Sequence, residues 1–246
     1  MLLAIDVGNT DTKIGLWDGH EWIALSRASS SAPDTSPLEM AMGRNVTAVI
    51  SSVVARRRQS LELDQAAAKI APQAKMVSLH GGTNLGIEIR YRTPESLGPD
   101  RIANALAAMA ASRAPAIVVD CGTATKLEAI SGDIYLGGVI MPGLHMGAKA
   151  LADGTERLPE VDLIAPGDVI GTDTSSAIRS GIMHGHAVAI DGMIAKFSAE
   201  MNADPEVFLT GGNAELLMTL CKTKMRLVPT LTLDGIVEAG RRLGLV

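Results

Sequence analysis

Leu2 to Lys13, LLAIDVGNTDTK, returns in degenerate form at Ile117 to Lys126, IVVDCGTATK. A chain that echoes itself in this way is constrained to fold as two related halves. Each copy is an apolar run ending in an acid, then glycine and small hydroxyl residues, then a second apolar run. That pattern reads as a buried strand, a tight turn and a return strand. Gly8 and Gly122 let backbone amides approach an anion closely, and Thr10, Thr123 and Thr125 offer hydroxyl donors. Asp6 and Asp120 stand at strand ends, where a metal-phosphate can be held. One such hairpin is equally well an ordinary buried Asp-Gly turn; two suggest related half-domains gripping one nucleotide.

The core has to be built almost without rings. Of 246 residues 47% are hydrophobic but only 2% aromatic, so Ala, Val, Ile, Leu and the 12 Met must fill it. Stacking platforms for single-stranded nucleic acid are therefore lacking, and a net charge of -5 argues against a phosphate-backbone binder. The one dense basic run, Arg56-Arg57-Arg58, reads as the solvated start of a helix. The two cysteines, Cys121 and Cys221, have neither pairing spacing nor accompanying histidines, which points to a reduced cytoplasmic protein. The apolar start reaches Asp6 too soon for a signal peptide, and no run is long enough to span a bilayer, so no membrane partner is expected.

Along the chain, residues 2–6, 12–17 and 21–27 read as a strand meander with an Asp18-Gly19 turn. A Ser-, Ala- and Pro-rich loop follows from Ala28 to Pro37. Val46 to Ser52 reads as a strand, Arg58 to Ile70 as a helix, Glu88 to Tyr91 as a strand and Asp100 to Ser112 as an alanine-rich helix. The half-domain boundary is expected near Arg113-Ala114-Pro115, giving halves 1–114 and 115–246. The second half restarts with strands at 116–120, 124–130 and 134–140. It turns helical near Leu144 and carries a long helix from Thr174 to Met201, where Gly181 and Gly185 would let another helix approach. A strand at Val207 to Leu209, the turn Thr210-Gly211-Gly212 and a helix from Asn213 complete a duplicated α/β chain.

The motifs DVGNT at 6–10, SSVV at 51–54, GPDRIAN at 98–104, VDCGTAT at 119–125, GGVIMPGL at 137–144 and LTGGNA at 209–214 occur in an order and spacing that resemble the type III pantothenate kinases. That family belongs to the acetate and sugar kinase, Hsp70 and actin superfamily. The resemblance implies duplicated ribonuclease H-like, actin-like ATPase domains with a nucleotide cleft between them. It also implies ATP-dependent phosphorylation of pantothenate to 4'-phosphopantothenate, the first step of coenzyme A biosynthesis.

Phosphoryl transfer needs the polyphosphate neutralised, the metal placed and the acceptor hydroxyl aligned. Asp6 would hold Mg2+ directly or through water. The stretch Asp6, Val7, Gly8, Asn9, Thr10, Asp11, Thr12 and Lys13 would bind ATP, with Lys13 as a point charge unless it is only a surface lysine. Thr123 would bond an ATP phosphate. Gly211 and Gly212 would face the adenosine side, unless they form an ordinary strand-helix turn. Asp100 is the candidate general base, its other reading being a helix N-cap. Gly98, Pro99 and Arg101 complete the family's substrate motif, and Tyr91 matches the family's pocket tyrosine or else packs in the core.

By the same resemblance, Thr174 completes the pantothenate pocket from the partner of a homodimer with a shared active site. The family usually has Asn where this chain has Asp173, which is also a good cap for the long helix. The family's monovalent cation, K+ or NH4+, would sit at the residue matching Asp120. Here Lys126 and Glu128 replace the usual Thr and Asp of the hairpin. Either Lys126 supplies that cation's charge, or it forms a solvated pair with Glu128, about 7 Å away along one strand face. The histidines show no zinc spacing, and Ser51 and Ser52 read as a strand end. Two other readings of the same fold are a non-catalytic regulatory homologue and a kinase for another small hydroxylated substrate such as a sugar.

Overall fold

The computed structural model describes residues 1–30, 35–54 and 58–246. Arg56 and Arg57 of the basic run, the Arg58 side chain and residues 31–34 of the Ser-, Ala- and Pro-rich loop lie outside the described residues. In chain order the elements are β1 (Leu2–Val7), β2 (Asp11–Trp17), β3 (Trp22–Ser29), β4 (Ala48–Val53), α1 (Arg58–Ile70), β5 (Lys75–Ser78), β6 (Glu88–Ile89), α2 (Pro99–Ala111), β7 (Ala116–Cys121), β8 (Ala124–Ser131), β9 (Ile134–Pro142), α3 (Leu144–Asp153), α4 (Thr174–Met201), β10 (Glu206–Thr210), α5 (Ala214–Met218), β11 (Arg226–Leu227) and α6 (Leu231–Arg242).

The chain forms two compact units. Met1–Ala111, Asp133–Tyr135 and Thr230–Val246 make the first; Ser112–Gly132 and Leu136–Pro229 make the second. The division differs from a single cut after Ala114, because α6 packs on α2 and β1 of the first unit. The small residues of α2 allow that close approach. A Cβ at Gly235 would lie 1.7 Å from the Ala103 carbonyl oxygen, and one at Gly240 would lie 2.7 Å from the Leu2 side chain. Neither α6 nor β5 stood out from the sequence.

In the first unit the strands run in the order β3-β2-β1-β4-β5. β1, LLAIDV, is buried throughout and takes the centre, antiparallel to β2 and parallel to β4. Continuous apolar runs suit central strands covered on both faces. β3 alternates half-buried and exposed residues and forms an edge. The β2–β3 turn is closed by Asp18, whose Oδ1 accepts from the amides of His20 at 2.7 Å and Glu21 at 2.9 Å, with Gly19 at φ +115°. Leu3, Ile5, Ile14, Leu16, Val49 and Leu63 lie in the core cluster of this unit.

The second unit repeats the plan. The second sheet runs β11-β10-β7-β8-β9-β6, with β7 antiparallel to β8 and parallel to β10. From β11 to β9 this is the order of the first sheet, and β6 is an added edge strand parallel to β9. Ile117, Val119, Leu127, Met183, Ile190, Val207 and Leu209 fill its core. α4 runs over the expected span, opened by a capping box in which Asp173 Oδ1 accepts from the Ser176 amide at 2.9 Å. That bond holds the Asp173 carboxyl below the usual carboxylate range. Asn202, left-handed at φ 48°, closes the helix.

Candidate active site

In the first unit, strand register builds a row of three polar side chains. Asp6 at the end of β1 pairs with Lys13 on β2 and with Ser52 on β4. Directly opposed residues share one sheet face. The Ser52 hydroxyl donates to Asp6 Oδ1 at 3.0 Å. Asp6 is only 7% exposed, so this bond helps keep its carboxylate in place. From the sequence alone Ser52 reads as a strand end. Its signal was invisible locally, because β4 reaches β1 from 46 residues away.

The turn after Asp6 divides its groups between structure and exposure. The Gly8 amide donates to the Asp11 carbonyl at 2.9 Å and closes the hairpin, while Asn9 and Thr10 stand exposed at its tip. Val7 is core. Thr12 is buried and shares a 2.9 Å hydrogen bond with Ser30, and the Asp11 carboxylate is paired with Arg27 at 2.5 Å. Of the eight first-hairpin residues expected to bind ATP, Asp6 and Lys13 thus share the polar row, with Gly8, Asn9 and Thr10 at the turn beside it.

A second cluster in the same unit gathers around Arg101. Its Nη2 donates to the Tyr135 hydroxyl at 2.7 Å and its Nη1 to the Tyr91 hydroxyl at 3.2 Å. The guanidinium carbon lies 5.5 Å from the Tyr91 ring centre and 5.8 Å from that of Tyr135, within cation–π range. The two rings meet edge to face at 6.2 Å. β6 fixes both tyrosines: the Glu88 amide bonds Asp133 and the Arg90 amide bonds the Tyr135 carbonyl, each at 2.9 Å. Arg242 of α6 adds a clip, bonding the Leu85 carbonyl at 3.2 Å and Asp133 at 2.9 Å. Tyr135, fully buried, is the member of this cluster that the motifs did not flag.

Asp100 is the second residue of α2, inside the first turn rather than at the cap. The Gly98 carbonyl accepts the Arg101 and Ile102 amides at 3.1 and 3.2 Å, with Pro99 between them. A Cβ on Gly98 would sit 2.6 Å from Asp100 Oδ1, so glycine there lets the carboxylate fold back over the helix start.

The second unit carries the matching row. Asp120 on β7 is opposed by Lys126 on β8 and by Thr210 on β10. Here the lysine takes the carboxylate: Lys126 Nζ lies 2.8 Å from Asp120 Oδ2, with the side chains 15% and 14% exposed. Glu128 is fully buried across from Val118. Glu128 is therefore not part of a solvated pair. The Thr210 hydroxyl is fully buried and has no hydrogen-bond partner among the described residues. Such a group ordinarily costs about 1–3 kcal/mol.

Around that row, glycine is required by space. Gly211 has φ +100°, and a Cβ there would meet the Cys121 carbonyl group at 2.5 Å and Asp120 Oδ1 at 2.7 Å. Gly212 is exposed before the short helix α5. Thr123 is exposed at the hairpin tip, where its carbonyl accepts the Gly143 amide at 3.2 Å. Thr125 turns inward and bonds His186 Nε2 at 2.8 Å, a contact not foreseen from the scattered histidines. Burial pushes the His186 pKa below its ordinary value. Burial also raises both thiols, that of Cys221 to about 12 with a further push from Asp191. Thr174 begins α4 and is exposed; further along, Gly181 and Gly185 are exposed with nothing close to them.

No group of three or more His, Cys, Asp or Glu side chains able to hold a metal occurs among the described residues. A magnesium ion that arrives with nucleotide needs only one or two protein carboxylates, because phosphates and water complete its shell. Asp6 fits that need. At Asp120, Oδ2 is already engaged by the Lys126 ammonium. No helix among the described residues is long and apolar enough to cross a membrane.

The chain matches the family described as type III pantothenate kinase over residues 2–196. A type III pantothenate kinase of Rubrobacter xylanophilus is 37% identical over 259 residues, covering 96% of each chain. One from Acidothermus cellulolyticus is 34% identical over 249 residues, again covering 96% of each. Among solved structures, a ROK family glucokinase from Streptomyces griseus, in complex with glucose and AMPPNP, aligns with TM-score 0.54 at 11% identity, covering 98% of this chain and 99% of its own. At that identity the likeness speaks for the fold alone.

Proposed function

We infer, for a chain that belongs to the type III pantothenate kinase family, that Asp6 and Lys13 of the first unit bind Mg-ATP, that Thr123 with the Lys126 row of the second unit is a phosphate-binding element, and that Tyr91, Asp100 and Arg101 take the acceptor. The enzyme phosphorylates pantothenate with ATP in coenzyme A biosynthesis. The observation that carries the site assignment is the duplicated polar row, Lys13–Asp6–Ser52 and Lys126–Asp120–Thr210, built by the same register on the same strand plan. Mg2+ when bound neutralises phosphate charge and polarises the transferring group. Asp6, steadied by Ser52, would hold it, and Lys13 would add a point charge on the same face.

Arg101, held between two phenols, presents a fixed fork suited to the carboxylate of pantothenate. Asp100 accepts the proton of the primary hydroxyl as it attacks phosphorus, aided by its helix turn. Gly98 and Pro99 shape that loop, and Gly211 and Gly212 give a flat backbone for the nucleoside. The Lys126 ammonium, paired with Asp120 when no nucleotide is bound, brings to this row the charge that relatives are expected to obtain from K+ or NH4+. A homodimer is supported by the open α4 face, where Gly181, Gly185 and the 69% exposed Val188 stand beyond Thr174. Thr174 then lines the partner's acceptor pocket. A reduced, cytoplasmic setting suits the free cysteines. ADP release by the purified chain, assayed with pantothenate and with a panel of sugars, tests the whole reading. Release that depends on pantothenate supports it, and none with sound folding and ATP binding overturns it.

A further inference from the structure

The two polar rows are alike in composition and opposite in pairing. In the first, the hydroxyl of Ser52 holds Asp6, and Lys13 has no side-chain partner among the described residues. In the second, Lys126 holds Asp120, and the hydroxyl of Thr210 is buried and unpartnered. Asp120 Oδ2 meets Lys126 on β8, while its Oδ1 lies over Gly211, the residue next to Thr210 on the β10 side. Thr210 stands beside Asp120 in parallel register, as Ser52 stands beside Asp6.

We propose that Lys126 is a transferable cation. It rests on Asp120 without nucleotide and turns to the polyphosphate when Mg-ATP binds, and the Thr210 hydroxyl then takes its place on Asp120, giving the second row the pairing of the first. Thr210 is the positioning residue of this exchange. Its hydroxyl is already desolvated, so making the bond costs no further loss of water contacts. The carboxylate keeps a donor throughout, which lets the lysine leave. The proposal rests on reading the second hairpin as a phosphate-binding element.

Steady-state kinetics on the full-length enzyme test it, with melting temperatures as the check on folding. Thr210→Val keeps the side-chain shape but removes the donor, so Lys126 stays on Asp120; the expected result is a rise of about tenfold in KM for Mg-ATP with a smaller change in kcat. Thr210→Ser restores the KM. In a Lys126→Thr background, Thr210→Val adds little, because the residue whose release it assists is gone. A KM for Thr210→Val within about twofold of the parent, or effects that multiply fully in the double variant, overturns the exchange. Lys126→Met and Thr123→Val separate the two ideas. If both leave the Mg-ATP KM unchanged, the phosphate reading itself fails; if they raise it and Thr210→Val does not, only the exchange fails.

Discussion

Asp120 and Lys126 face each other in strand register, with Oδ2 and Nζ 2.8 Å apart and both side chains mostly shielded from water. An exposed ion pair contributes little, about 0–1 kcal/mol, and is weakened by salt. This one is largely out of solvent, so without nucleotide it occupies Asp120 even at physiological ionic strength. An added cation competes poorly for the same oxygen.

Ion dependence follows directly. The unmutated enzyme should respond weakly to K+ or NH4+ at constant ionic strength, whereas Lys126→Thr should become responsive to both. Activity titrations with a bulky ammonium salt as the balance ion read the difference. Strong K+ activation of the parent, unaltered by the substitution, would place the lysine outside the cation's role.

Asp100→Asn should retain the fold and the affinity for ATP while lowering kcat by roughly 10²-fold or more, the usual scale for a lost positioned base. Single-turnover measurements with pre-bound nucleotide isolate the chemical step. Unchanged turnover would reduce Asp100 to a contributor to the helix start.

Much of this was legible in the sequence. The repeat predicted two halves of one plan, and apolar runs marked β1, β7 and α4 because continuous burial and capping leave local traces. What escaped were partners brought together by register. Ser52 and Thr210 gain meaning only beside Asp6 and Asp120, from strands 46 and 90 residues away. Tyr135 sits outside the motif that contains Arg101, and His186 meets Thr125 across 61 residues. α6 hid because two of its contact positions are glycines, poor helix formers chosen here for close packing.

Acid stability should depend on His186. Burial lowers its folded pKa, so the unfolded chain takes up a proton first as pH falls below about 6.5. Its neutral state therefore costs nothing above that pH, and stability is lost progressively below it, down to the folded pKa. Melting temperatures from pH 7.5 to 5.5 should fall more steeply for the parent than for His186→Gln. Parallel curves would show that the ring titrates alike in both states.

Gly211→Ala should be among the most damaging small substitutions in the second unit. Its φ of +100° is hostile to a side chain, and the new Cβ would collide with the Cys121 backbone and the Asp120 carboxylate. Backbone strain of this kind costs about 1–3 kcal/mol before any clash is added. Chemical denaturation monitored by circular dichroism checks it, and an unchanged midpoint would contradict the packing.

The first unit draws its last helix from Thr230–Val246, after every residue of the second unit has passed. On a ribosome the second unit is therefore fully synthesised while α2 and β1 still expose the surface that α6 will cover. Although its chain starts first, the N-terminal unit is the last to be finished. A premature stop near residue 230 would thus leave intact the unit nearest the break and strip the one that began the protein.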